Sequence, residues 1–280
     1  MPGRNSAMNI AIICFSPTGN TLRCARVIQD HLEELGAGTE LIDITPLASR
    51  EGPVSMEGYD AAIFGAPIHS WRAPRLVREW LTTLDGLGKK CALFFTYGGF
   101  GVHPAHHTTR QILESRNFTV VSSAEFLGAH TFNLGGWRAM ENRPDERDFS
   151  LAREFAGKTL KRLTGEDTGL PGPFEKTDHT EELLDSIEGF RFKALTRLPT
   201  REGKSCSLCM ACEDICPSGA MDASSGEADK SRCIACLACV AACPEQALII
   251  NDMRGIWNAK LQMEKINEDG LRQKRGVLYF

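Results

Sequence analysis

Cys206-Ser-Leu-Cys209-Met-Ala-Cys212-Glu-Asp-Ile-Cys216-Pro217 is answered 27 positions later by Cys233-Ile-Ala-Cys236-Leu-Ala-Cys239-Val-Ala-Ala-Cys243-Pro244. Eight of the chain's 11 cysteines fall in these two runs. The copy extends past the cysteines, since Pro217-Ser-Gly-Ala-Met221 matches Pro244-Glu-Gln-Ala-Leu248. Such self-similarity marks an internal duplication and a pseudo-symmetric module. Three thiols on one tight loop reach three corners of a metal–sulfur cube, and a fourth must come from elsewhere in the chain. Disulfides need an oxidising compartment. Zinc sites take four ligands in pairs and do not ask for three close cysteines with a distant fourth.

The runs resemble those of bacterial ferredoxins that carry two [4Fe–4S] clusters. That resemblance implies crossed ligation, in which the last cysteine of each run serves the other cluster. One cluster would be held by Cys206, Cys209, Cys212 and Cys243, and the other by Cys233, Cys236, Cys239 and Cys216. The crossing would tie the repeats together and couple folding to iron binding.

The chain has 280 residues, 42% of them hydrophobic, enough for one substantial core and a smaller one. A net charge of −4 does not favour general nucleic-acid binding. The start, Met1-Pro-Gly-Arg-Asn-Ser-Ala7, is polar and lacks the apolar core of an export signal. No window approaches eighteen continuous apolar residues, so no membrane span is expected. These features place the protein in the cytoplasm.

The N-terminal half opens on Asn9-Ile-Ala-Ile-Ile-Cys-Phe15, a continuous apolar run typical of a strand buried on both faces of a parallel sheet. The hydroxyl-rich turn Ser16-Pro-Thr18-Gly19-Asn20-Thr21 follows, and then Leu22, Ala25, Ile28, Leu32 and Leu35 recur at helical spacing up to Gly36. Strand, turn and helix is the layout of a phosphate site, in which first-turn N–H groups and the helix dipole hold the anion without a basic residue. The turn lacks the lysine of a P-loop and the glycine triplet of a dinucleotide fold. The same residues could simply cap the helix.

The turn resembles the phosphate loop of flavodoxins. By that resemblance Ser16, Thr18, Gly19, Asn20 and Thr21 bind the phosphate of FMN. Further strands fit Thr39 to Ile44, Ala61 to Gly65, Cys91 to Thr96 and Thr119 to Phe126, with a helix around Arg75 to Leu84. The expected fold is α/β: a flavodoxin-like, doubly wound, five-stranded parallel sheet in the order 2-1-3-4-5, with a second, smaller α+β ferredoxin-like domain. Ligands of doubly wound sheets sit beyond the carboxyl ends of the strands. Two more loops reach that edge, and in flavodoxins these enclose the isoalloxazine ring. Pro67, Ile68, His69, Ser70 and Trp71 come from one, and Thr96, Tyr97, Gly98, Gly99, Phe100 and Gly101 from the other. Trp71 is the stacking candidate on one face, with Tyr97 or Phe100 on the opposite side. The amides of Gly98 and Gly99 would reach the pyrimidine edge of the ring. The Gly-rich, aromatic segment from Gly128 to Met140 would wrap over the flavin. His103, His106 and His107 lack a defined three-ligand set and read as surface or helix-start residues. Cys14, Cys24 and Cys91 read as small core hydrophobes.

Residues 8–165 thus form an FMN-binding domain, 166–200 a linker, 201–250 the two-cluster domain and 251–280 a C-terminal extension. The whole chain resembles flavodoxin–ferredoxin fusions of the EFR1-type ferrodoxin family. Two activity classes follow from FMN together with two [4Fe–4S] clusters. One is an electron-transfer protein relaying between redox donor and acceptor proteins. The other is a flavin-dependent oxidoreductase that reduces a small substrate, with the clusters as its wire. A homodimer is left open. Residues 201–250 carry seven acidic and four basic residues, whereas the second flavin loop and its helix carry Arg72, Arg75 and Arg78. That basic strip would dock the acidic module, favour the reduced flavin, or form a solvated helix face.

Overall fold

In the computed structural model, residues 7–280 are described; the reading of the polar start as free of an export signal falls on residues 1–6, outside them. The flavodoxin-like half alternates strands and helices: β1 (Asn9–Cys14), α1 (Asn20–Glu34), β2 (Gly38–Asp43), β3 (Ala61–Pro67), α2 (Arg75–Leu81), β4 (Lys90–Tyr97), α3 (Ala105–Ser115), β5 (Thr119–Leu127) and α4 (Glu146–Thr164). The expected strands are all present, with ends displaced by one or two residues. Strands β1 to β5 are parallel and ordered β2-β1-β3-β4-β5.

The apolar run of β1 is continuous because the sheet is buried on both sides. Ile10, Ile12 and Cys14 face a core with Cys24, Ile28 and Leu32 of α1 and Phe155 of α4. Ala11, Ile13 and Phe15 face the opposite core, which holds Val77, Trp80 and Leu81 of α2 and Leu113 of α3. Cys14, Cys24 and Cys91 lie fully buried in these two layers. Helix α4 opens on a capping box, with the Asp145 backbone N–H donating to Asp148 and the Asp145 side chain accepting from Arg147.

The linker contains α5 (Glu181–Leu195). The cluster module follows, with α6 (Ala211–Asp214), a hairpin of β6 (Met221–Asp222) and β7 (Glu227–Ala228), and α7 (Ala238–Ala242). The extension forms α8 (Arg254–Met263), α9 (Glu268–Arg272) and β8 (Val277–Tyr279). Strand β8 corrects the five-strand expectation, because it pairs antiparallel with β5 and makes the sheet six-stranded. Three residues of strand after the basic stretch Lys274-Arg275 give too short an alternation to read from sequence.

His106 is a helix-start residue, second in α3, and it is buried. Its Nδ1 lies 2.7 Å from Ser123 Oγ, and its ring packs on Phe95, Phe174 and Tyr279. Arg72 and Arg78 neither dock the residue 201–250 module nor face solvent. They are buried and pair with Glu181, Asp185 and Glu188, an acidic face of the linker helix α5.

Candidate functional site

The turn between β1 and α1 is shaped for an anion. Gly19 adopts the left-handed conformation, φ 86°, which turns the chain into the helix at no Cβ cost. Ser16 Oγ accepts from the Leu22 N–H at 2.9 Å, and the Ser16 N–H donates to Thr45 Oγ1 at 2.7 Å. Thr21 Oγ1 lies 2.6 Å from Thr96 Oγ1, which locks the turn to the end of β4. Among the described residues, no acceptor takes the backbone N–H of Thr18, Asn20 or Thr21. Three open donors at the start of a fifteen-residue helix fit a phosphate.

These residues open into a cavity at the carboxyl edge of the sheet. Ser16, Thr18, Asn20 and Thr21 line it together with Pro67, Ile68, His69, Thr96 and Tyr97 from the two other loops. Gly128, Ala129, His130 and Thr131 close another side, and Asn20 Nδ2 donates to Ala129 O at 3.0 Å. The remaining wall includes Cys236, from the second cysteine run.

A second cavity of about 360 Å³ shares Ile68 and His130 with the first. Ser70, Trp71, Phe100 and Gly101 line it, together with Phe132 and Trp137. A flat aromatic ligand fits walls of this kind. The second flavin loop carries unusual backbone here, since Ser70 (φ 48°) and Trp71 (φ 72°) are both left-handed. Trp71 also stacks on His179 of the linker, with ring centroids 6.2 Å apart.

Some expected residues are placed differently. Gly98 and Gly99 line neither cavity. The ring of His130 lies against Gly98, where any Cβ would meet it at 2.4 Å, and the Gly99 carbonyl accepts from Lys274 Nζ at 2.6 Å. Tyr97 and Phe100 part company, the first lining the phosphate-side cavity and the second the aromatic one. The Gly128–Met140 segment does reach both cavities. Ile256, Ala259, Lys260 and Met263 of α8 were missed. The tail's spacing of Ile256, Lys260 and Met263 reads as an ordinary amphipathic helix and carries no ligand signal.

Electrostatics around the cavities are set by burial. It lowers His69 to about 4, and His130 to about 3 with help from nearby His69 and Lys260, so both rings are neutral at physiological pH.

In the cysteine module, Cys206, Cys209, Cys212 and Cys243 line one cavity, although Cys243 belongs to the other run. Burial raises the Cys239 thiol, and neighbouring Cys236, Cys216 and Cys233 raise it further, which puts Cys216 beside the second run. The two loops are locally alike. Leu208 and Ala235 are left-handed at equivalent positions, as are Met210 and Leu237. The N–H groups of Leu208 and Ala235 donate to Cys206 and Cys233 at 3.4 Å, and those of Ala220 and Ala247 to Cys216 and Cys243 at 3.2 Å. Thiols gathered around a space, with N–H donors turned towards sulfur, fit an iron–sulfur cluster.

The duplicated loops differ in their surroundings. Cys236 and Cys239 are buried, whereas Cys209 is exposed next to exposed Leu208 and Met210. Ile234 packs on the core of the flavodoxin-like half, and Leu237 packs among Phe132, Trp137 and Trp257.

Comparison with known proteins agrees with both halves. Residues 11–128 match the flavodoxin domain family, and residues 198–244 match the 4Fe-4S dicluster domain family. Oxidised flavodoxin 2 from Bacillus cereus is 19% identical, over 55% of this chain and 99% of that one, with a TM-score of 0.43. The flavodoxin of Streptococcus pneumonia TIGR4 is 18% identical, over 55% and 99%, with a TM-score of 0.40. Rubredoxin oxygen:oxidoreductase from Desulfovibrio gigas is 18% identical, over 56% of this chain and 36% of that one, with a TM-score of 0.43. No curated protein matches the chain.

The protein therefore belongs among redox proteins built from a flavodoxin domain and a dicluster domain. The two domains make it a flavodoxin–ferredoxin fusion, imply FMN and two [4Fe–4S] clusters as its cofactors, and support an electron-transfer or redox function. Among the described residues, no helix is long and apolar enough to cross a membrane.

Proposed function

We propose that the protein passes electrons between FMN and its two [4Fe–4S] clusters, relaying them between a redox donor and a partner acceptor protein. The observation that carries this reading is Cys236 in the wall of the cavity fed by the Ser16–Thr21 turn. FMN, when bound, exchanges one or two electrons, and each cluster exchanges one.

The residues divide the work as follows. The N–H groups of Thr18, Asn20 and Thr21, with the hydroxyls of Ser16 and Thr21, hold the phosphate. Trp71 and Phe100 border the slot for the ring. Cys233, Cys236, Cys239 and Cys216 would hold an inner cluster on the flavin side, where the burial of Cys236 and Cys239 limits the access of water. Cys206, Cys209, Cys212 and Cys243 hold an outer cluster, and exposed Cys209 offers it to a partner protein. Ile234 and Leu237, packed into the flavodoxin half, fix the two sites relative to each other without dependence on a flexible tether.

The test is a pair of variants of the anaerobically reconstituted full chain, with iron, sulfide and flavin counted. The wild type should hold one FMN and about eight irons. Cys209→Ala should lose the outer cluster and reduction of a one-electron acceptor protein, while flavin and remaining cluster still exchange electrons within the chain. Cys236→Ala should lose that internal exchange. The opposite pattern would refute the order.

A further inference from the structure

Helix α8 lies across the aromatic cavity although more than a hundred residues separate it from the flavodoxin loops. It is firmly seated there. Trp257 is buried, with its ring 5.4 Å from Trp137 and 6.1 Å from Phe100, and its Nε1 donates to Glu268 at 3.0 Å. Met253, the residue before the helix, donates its N–H to Gly135 O at 2.7 Å and accepts from Trp137 Nε1 at 3.1 Å. Seated in this way, α8 contributes Ile256, Ala259, Lys260 and Met263 to the cavity lining.

Lys260 differs in kind from the rest of that lining. Among the described residues it is the one ionised side chain there, the others being apolar, small, hydroxylic or the neutral His130. Its side chain is only 14% exposed. The ammonium stands 4.8 Å from the centroid of the Phe100 ring and pairs with Glu264, one helical turn further on. A lysine so enclosed loses hydration, and its field acts on whatever shares the cavity, because little water screens it.

We propose that Lys260 is a positioning residue that sets the redox potential of the bound flavin, its ammonium favouring the ring's reduced, anionic form. This rests on the reading that the FMN ring occupies the aromatic cavity. Uptake of two electrons and one proton leaves a flavin ring with one negative charge, while the oxidised ring has none. A fixed cation at the cavity therefore stabilises the reduced form more than the oxidised form. Glu264 tempers the effect by facing the same ammonium. The extension beyond the cluster module is thus part of the flavin site.

The test compares flavin midpoints in the full chain with clusters in place, by anaerobic spectroelectrochemical titration with dithionite as reductant. Lys260→Met should lower the preference for reduced over oxidised flavin about tenfold, a fall of about 30 mV for a two-electron couple. Lys260→Arg should leave the midpoint near that of the wild type, and Glu264→Gln should move it upward. A merely structural lysine would weaken binding of both flavin forms alike and leave the midpoint where it was. An unmoved midpoint in Lys260→Met, with oxidised FMN still bound, overturns the proposal alone. A wild-type chain that takes up no FMN overturns the flavin reading and this proposal together.

Discussion

Arg72 has no exposed surface, yet it sits between Trp71 of the flavin loop and the acidic face of α5. Its Nη1 lies 2.6 Å from Glu181, and its Nη2 lies 2.5 Å from Asp185 and 3.5 Å from Glu188. Arg78 shares Asp185 and Glu188 at 2.7 and 2.8 Å. The two sides of this network are unequal. Glu181 and Asp185 are 65% and 47% exposed and Glu188, 11% exposed, keeps Arg78 as its partner, so losing Arg72 costs a modest amount, about 1–3 kcal/mol. Losing the carboxylates strands a buried guanidinium, which costs about 3–5 kcal/mol. Urea unfolding should therefore find Glu181→Gln/Asp185→Asn/Glu188→Gln less stable than Arg72→Met. The reverse order would mean that the arginine is held by something other than α5. The sequence offered the three arginines and seven acidic residues as a charge contrast, but net composition could not say which acidic segment the arginines would meet. Local charge counts are blind to burial, and nothing in the spacing of the linker carboxylates shows that they face the arginines.

At the scale of elements, the long, strongly patterned pieces were the legible ones. The both-faces-buried run of β1, the helical period of α1 and the hydroxyl turn between them have the signal that a central strand and phosphate loop require. Strand β8 has none of this, because its pairing is supplied by a distant partner. Its Tyr279 hydroxyl donates to Glu125 at 2.6 Å, and Tyr97 reaches the same carboxyl from β4. Burial raises the Glu125 carboxyl above its ordinary value, although the bonds from Tyr279 and Tyr97 and the charge of Lys274 pull the other way. The folded state thus keeps a proton over a range of pH in which the unfolded chain has already lost it. Stability falls as pH rises from the ordinary carboxyl value to the folded one, and is flat below and above that window. Glu125→Gln should remove the fall, seen as parallel urea midpoints across those pH values. An identical pH profile in variant and wild type would place the carboxyl outside the titration.

For the molecule as a whole, the eight cysteines were the most legible feature, since a tight loop has few uses for three thiols at such spacing. What sequence spacing could not tell is how the module is seated, because Ile234, Leu237 and Cys236 look like any apolar residues between ligands. Ile234 and Leu237 pack into the cores of the flavodoxin half, and Cys236 joins the wall of the cavity proposed for FMN. Folding of the loop that carries them depends on bound metal. Anaerobic removal of iron with a chelator should therefore weaken FMN binding about tenfold, or about 1.4 kcal/mol, in a fluorescence titration. Unchanged affinity would mean that the loop keeps its place without metal.

Strand β8 also fixes an order of events during synthesis. Residues 277–279 leave the ribosome after residues 201–250, so the sheet begun by β1 receives its sixth strand only once both cysteine loops exist. Until then β5 is an open edge, the kind of surface on which nascent chains pair wrongly with one another. Strand β8 thus covers the middle of β5, Ser123 to Glu125, only after the cluster module has been made.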